Sequence, residues 1–102
     1  MTLHFFARLV PKPGNADAFR KALLEVLGPT REEPGCVGVR VFESHREPVT
    51  FQIHAEWLDE DVFDHHLTLP HTVRFLSAAS ELLTEPVQGL RTTEIGAIGV
   101  SR

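Results

Sequence analysis

The chain has 102 residues, of which 42% are hydrophobic and 24% are charged, and its formal net charge is −4 at neutral pH. This length fits one domain spanning residues 1–102, and the lack of a basic stripe or a long apolar run excludes nucleic-acid-binding and membrane-spanning classes. One cysteine, Cys36, and no signal-peptide pattern in residues 1–13 predict a cytoplasmic protein with neither nucleic acid nor membrane as a partner.

The first strand and the first helix follow from alternation and helical spacing. Residues of high strand propensity over Leu3–Val10 predict a strand with apolar groups on both faces. Apolar residues then recur at helical spacing, and Asn15 is placed to cap that helix. Gly28-Pro29 should kink or stop the helix, after which Thr30–Glu33 can add one more turn.

A hairpin is predicted next. Cys36–Glu43 alternates as a strand does, and Thr50–Leu58 is the third predicted strand. The polar loop between them is short, which makes the pair antiparallel. Side chains expected on one face of the second strand are Val37, Val39 and Val41.

The last part of the chain predicts a helical region and one more strand. Asp59 can cap a short helix that ends near Thr68. Pro70 suits the first turn of another helix, which should run to about Leu83. Val87–Ile98 then predicts a long final strand that two glycines interrupt.

The order strand, helix, strand, strand, helical region, strand predicts an α+β fold, a ferredoxin-like βαββαβ two-layer sandwich. Its helices should cover one face of an antiparallel sheet. The other face also carries apolar residues, and exposing so broad an apolar surface is unfavourable. Two such sheets packed face to face across a two-fold axis would bury it, so we expect a homodimer.

Several short strings occur in an order typical of one family. They resemble the antibiotic biosynthesis monooxygenase family, which includes quinol monooxygenases, over roughly Leu3 to Leu83. The resemblance implies a dimeric α+β barrel and an oxygenase that uses no metal, flavin or haem cofactor. The strings that carry it are Lys12-Pro13-Gly14, the run from Arg31 to Cys36, Phe51, Trp57, His66, Pro70-His71 and Phe75.

The resemblance also implies a pocket between sheet and helices that holds a small aromatic, phenolic or quinol substrate for oxidation by dioxygen. We assign His66 and His71 as catalytic, because histidine accepts a proton near neutral pH. Aromatic side chains stack on flat rings. The residues assigned to substrate binding are therefore Trp57, Phe51, Phe63 and Phe75.

The chain departs from the family pattern beside its tryptophan. Many members carry a Glu two residues before that tryptophan, where this chain has Ala55, and a Tyr three residues before it, where this chain has His54. The role of that Glu therefore does not transfer. A non-catalytic dimeric barrel that binds a small ligand is the main competing hypothesis. Two further hypotheses are haem binding or degradation, and an isomerase or decarboxylase activity on the same architecture.

No set of residues shows the sequence spacing of metal ligands. Rings of the neighbours His65 and His66 diverge by about 100° on a helix, so they cannot share one ion. A proline break separates His66 from His71, which removes the helical i, i+4 arrangement. We therefore expect no metal site.

Overall fold

One antiparallel sheet organises the molecule, with the two most regular strands at its centre. The computed structural model describes residues 2–99. Its strands follow the order β2-β3-β1-β4, and all neighbours are antiparallel. This arrangement confirms the predicted α+β, ferredoxin-like fold. The elements are β1 (Leu3–Leu9), α1 (Ala16–Arg31), β2 (Cys36–Glu43), β3 (Phe51–Trp57), α2 (Glu60–His66), α3 (Pro70–Leu82) and β4 (Gln88–Thr92).

The sheet has a buried face and an exposed face, because side chains alternate along each strand. The helices α1 and α3 pack on the buried face through Phe19, Leu23 and Ala79. The opposite face carries His4, Phe6, His54 and Leu90. The buried residues of the two central strands, none more than 7% exposed, are Leu3, Ala7, Leu9, Phe51, Ala55 and Trp57.

Helix α1 continues through Gly28-Pro29 to Arg31, so the stop that the sequence offered as one alternative does not occur, while the further turn predicted over Thr30–Glu33 is present. Pro29 lies in the last turn, so its missing N–H costs one hydrogen bond at a point where the helix ends anyway. The first two N–H groups after the helix close tighter turns. The Glu32 N–H donates to the Pro29 carbonyl at 3.3 Å, and the Glu33 N–H donates to the Thr30 carbonyl at 3.1 Å. The extra turn ends at Glu33, whose side chain is 7% exposed.

The turn after α1 requires glycine. Gly35 has φ of +89°, and a Cβ at this position would lie 2.6 Å from Val62 Cγ1. Only glycine satisfies both the left-handed backbone and this close approach. The turn therefore packs directly against Val62 of α2, and Val62 lies one helical turn before His66.

Helices α2 and α3 begin where the sequence predicts. The Asp59 carboxylate accepts a hydrogen bond of 2.9 Å from the Val62 N–H, and Pro70 occupies the first turn of α3. Asn15 precedes α1 but makes no side-chain capping bond there. No helix within residues 2–99 combines the length and the apolar character that crossing a membrane requires.

Two predictions about the strands were wrong. Val37 does not share a face with the other valines of β2 and is 56% exposed, because the ladder shifts register between Cys36 and Gly38. Strand β4 ends at Thr92 rather than at Ile98. Beyond it, Ile95 and Ile98 are fully exposed, since no neighbouring strand offers them a partner among the described residues.

Candidate active site

A small apolar cavity separates two parts of the core. One buried cluster is built around Phe19 and Phe51, and the other around Trp57 and Phe63. Phe5 and Ile53 pack against both clusters. The cavity between sheet and helices has a volume of about 100 Å³. Its floor on the sheet is formed by Phe5, Val39, Val41, Ile53, Ala55 and Trp57.

The polar groups of the cavity lie together on its helical side. Among the lining residues that the structure describes, only Thr30, His66 and Thr72 carry polar side chains on that side. The Thr72 hydroxyl lies 3.2 Å from His66 Nδ1. In an apolar cavity with one imidazole on its wall, that imidazole is the group that can orient a bound molecule or exchange a proton with it.

His66 belongs to a cluster with Glu33 and His71. The Nδ1 atom of His66 donates a hydrogen bond to Glu33 Oε2 at 2.8 Å and lies 3.1 Å from Oε1. The Nε2 atom of His71 donates to the same Oε2 at 2.6 Å. The three side chains are 7%, 13% and 17% exposed for Glu33, His66 and His71. One buried carboxylate therefore joins two imidazoles.

The local sequence explains how three separate elements meet. Helix α2 ends at His66, and the Leu69 N–H returns to the His66 carbonyl at 3.3 Å. Pro70 starts α3 immediately afterwards, which brings the His71 ring to 6.2 Å from the His66 ring. The Pro34-Gly35 turn holds Glu33 against the same corner. The proline break thus brings the two histidines together instead of separating them.

Burial controls the charge of His66. Burial lowers its pKa most strongly, the hydrogen bond and negative charge of Glu33 act in the opposite direction, and the nearby His71 lowers the pKa further. The net result is a pKa below the ordinary value for histidine. With its Nδ1 proton directed at Glu33, neutral His66 keeps Nε2 as the acceptor nitrogen. Among residues 2–99, Nε2 has no hydrogen-bond partner.

Trp57 lies beside the imidazole. The two rings are 4.5 Å apart between centroids, and Trp57 is 1% exposed. Its indole Nε1 is buried without a hydrogen-bond partner among the described residues. A buried N–H donor without a partner costs free energy, so it marks a place where an acceptor on a ligand would be stabilising.

The structure brings together four of the six residues that the sequence assigned to the site. Trp57, Phe63, His66 and Phe75 line the cavity. Phe51 does not, and packs instead against Phe19 at 5.5 Å between ring centroids. His71 also lies off the cavity wall, where it hydrogen-bonds Glu33 Oε2.

Sequence reasoning missed Glu33 and Thr72. The string before the second strand contains Glu33, but nothing in its spacing to His66 indicates contact across 33 residues. Glu33 does not line the cavity, but it holds the cavity-lining His66, whereas Ala55 on the cavity floor provides no carboxylate. Together with the two histidines, it also forms a group whose ligand atoms all lie within 4.8 Å of one another. Such a set is able to hold a metal ion.

Comparison with known proteins agrees with the fold. The antibiotic biosynthesis monooxygenase family model matches residues 2–78. Rv0793 of Mycobacterium tuberculosis is 34% identical over 83 residues, which is 79% of this chain and 79% of Rv0793. Its solved structure aligns with a TM-score of 0.87 and 25% identity, covering 97% of this chain and 100% of that one.

Two further relatives differ in length or in sequence. The protein sll1783 of Synechocystis sp. is 26% identical over 77 residues, covering 76% of this chain, and this chain spans only 52% of it. SnoaB, described as a cofactor-independent oxygenase from Streptomyces nogalater, shares the fold with a TM-score of 0.84 and 18% identity, covering 95% of this chain and 96% of SnoaB. On the family match and on the identity with Rv0793, the chain belongs to the antibiotic biosynthesis monooxygenase family.

Proposed function

We propose that the protein is a cofactor-independent monooxygenase that oxidises a small phenolic or quinol substrate with dioxygen. The observation that carries this proposal is the position of His66. Its ring forms part of an apolar cavity wall beside Trp57, while the Glu33 carboxylate fixes its Nδ1 proton. A base oriented by a carboxylate in a dry chamber is what proton abstraction from a weakly acidic hydroxyl needs.

The reaction on a hydroquinone balances without any further oxidant. The substrate hydroxyl gives its proton to His66 Nε2, and the ring carbon next to the resulting phenolate carbon forms a C–O bond with dioxygen through electron transfer. The peroxide takes the proton back from His66. The O–O bond then breaks as that ring carbon loses its own proton, and water leaves. Hydroquinone and dioxygen therefore give hydroxyquinone and water, a four-electron oxidation of the ring matched by four-electron reduction of dioxygen.

The remaining groups of the site support the same step. The Trp57 indole N–H, which lacks a partner among the described residues, is a donor available to the phenolate oxygen. Apolar walls exclude water and strengthen that electrostatic interaction. Phe63 and Phe75 offer ring surfaces on the same cavity.

The size of the cavity restricts the substrate. A cavity of about 100 Å³ is smaller than the ~150 Å³ apolar cavity that admits benzene. Entry of even one ring therefore requires movement of lining side chains such as Leu67 and Leu76, which are 37% and 36% exposed. We accordingly propose single-ring substrates rather than polycyclic ones.

Oxygen uptake with a hydroquinone panel in metal-free buffer tests this function. The wild type should consume one dioxygen per substrate and place one labelled oxygen atom from ¹⁸O₂ in the product. His66→Asn keeps a group near the Nδ1 position but removes the base, and should lower the rate about 10²-fold or more. His65→Asn alters an exposed neighbour and is the matched control. No uptake across the panel, or a fully active His66→Asn, would contradict the proposal.

The small cavity also favours a second candidate, a non-catalytic barrel that binds a small ligand. Trp57 is the only tryptophan in the chain and lines the cavity, so its fluorescence reports occupancy. A phenol that changes this fluorescence without any oxygen uptake would select this candidate. In either case we propose that the protein acts as a homodimer in the cytoplasm.

A further inference from the structure

We propose that Glu33, His66 and His71 form a binding site for one divalent transition-metal ion, with Zn²⁺ the best fit. The three donor atoms come from the turn after α1, from the end of α2 and from the start of α3. Glu33 Oε2 lies 2.8 Å from His66 Nδ1 and 2.6 Å from His71 Nε2. All three ligand atoms fall within 4.8 Å of one another.

The spacing of these atoms is close to that of a tetrahedral zinc site. Zinc bonds nitrogen and carboxylate oxygen at about 2.0–2.2 Å, so neighbouring ligand atoms lie about 3.3 Å apart. The two contacts to Glu33 are shorter than this by roughly half an ångström, because they are hydrogen bonds. Rotation of the Glu33 carboxylate and of the His71 ring would open that space while keeping the three ligand atoms within the 4.8 Å that now separates them at most.

The donor set determines the class of ion. Two imidazoles and one carboxylate suit Zn²⁺ and its transition-metal neighbours, and they leave a fourth position for water. Mg²⁺ and Ca²⁺ prefer oxygen ligands and do not match two nitrogen donors. The Thr72 hydroxyl, 3.2 Å from His66 Nδ1, is placed to contact a water molecule bound at that fourth position.

The ion would change what His66 can do. A metal bond to Nδ1 uses the atom that now donates to Glu33, and the remaining ring proton then resides on Nε2. His66 would become a donor toward the cavity rather than a proton acceptor. Zinc would therefore inhibit the proposed oxygenase, a consequence that rests on the proposed function, whereas zinc binding itself does not.

Binding is measured on the whole purified chain after treatment with EDTA and removal of the chelator. Calorimetry with Zn²⁺ should give one ion per chain, and Co²⁺ should give the visible absorption of a tetrahedral site. His71→Gln removes one imidazole ligand but keeps a side chain of similar length, and it should weaken binding about tenfold or more. His65→Gln changes the exposed neighbour of His66 in α2 and should leave the affinity unchanged. Circular dichroism checks that both variants fold.

The outcomes separate this proposal from the oxygenase. Absence of binding, a stoichiometry other than one, or equal affinity in His71→Gln and His65→Gln would overturn the metal site. Binding of one ion without any oxygen uptake by the metal-free protein would support the metal site and remove the oxygenase. Oxygen uptake that zinc suppresses, with His71→Gln needing about tenfold more zinc, would support both.

Discussion

The Nδ1 atom of His66 lies 2.8 Å from the Glu33 carboxylate, although 33 residues separate the two along the chain. Glu33 has 7% of its side chain exposed, so this contact is shielded from water on nearly every side. A buried carboxylate fixes the tautomer of the histidine that it holds. The proton-accepting nitrogen of His66 is therefore determined by a residue that does not itself line the cavity.

Glu33→Gln tests this positioning role. The variant should lower kcat/KM with a hydroquinone on the order of 10²-fold, since the tautomer of His66 is no longer fixed. The acid limb of the pH–rate profile should also move to lower pH, because the Glu33 hydrogen bond and charge raise the pKa of His66. Glu32→Gln changes an exposed neighbour and should alter neither quantity. An unchanged pH profile in Glu33→Gln would contradict the role.

The lowered pKa of His66 makes stability depend on pH. Between the folded-state pKa and the ordinary value of about 6.5, the unfolded chain binds a proton that the folded chain excludes. The free energy of unfolding should therefore fall as the pH drops below about 6.5. Above that value His66 is neutral in both states and contributes no pH dependence.

Urea unfolding in EDTA buffer at a series of pH values measures this effect. His66→Asn should flatten the part of the curve below about pH 6.5, because it carries no titratable ring. His65→Asn should keep the slope of the wild type, since its side chain is exposed in the folded chain. Parallel curves for the wild type and His66→Asn would exclude the effect.

The fold could be predicted because it depends on local patterns. Alternation placed β1 and β3, and Asp59 and Pro70 marked the starts of two helices correctly. The prediction failed at Val37, because a bulge shifts the register by an amount that alternation alone does not encode.

The site was less predictable for a related reason. Trp57 and His66 carried a family pattern, and the structure places both on one cavity. The role of Glu33 was not predicted, because its contact with His66 depends on how α1 ends and how the glycine turn packs on α2. Such long-range contacts arise from tertiary packing, which no sequence spacing within one element shows.

Gly35→Ala tests how far the cluster depends on that turn. A Cβ would meet Val62 at 2.6 Å, and φ of +89° is strained for alanine, so the variant should lose about 1–3 kcal/mol of unfolding free energy. Gly38→Ala is the matched control, because nothing lies within 4 Å of a Cβ there. Chemical denaturation compares the two variants. Equal stability of both would show that the turn tolerates a side chain.

The exposed sheet face provides the test of the homodimer. Phe6 is 46% exposed, stacks on His54 at 4.5 Å, and lies opposite Leu90, which is 69% exposed. If two such faces pack together, Phe6→Asp would place a charge in an apolar interface, where desolvation is costly. The wild type should then have twice the 11.4 kDa mass of the chain, and Phe6→Asp should have the monomer mass, by light scattering coupled to size exclusion.

The matched control is Leu24→Asp, which changes a residue of α1 that is 55% exposed on the helical layer rather than on the open sheet face. It should remain dimeric, because α1 packs on the opposite side of the sheet. A wild type that stays at the monomer mass at high concentration would remove the dimer. A Phe6→Asp variant that keeps the dimer mass would move the interface away from this face. The cavity lies on the helical side, so monomeric Phe6→Asp should still bind a phenol, as Trp57 fluorescence would report.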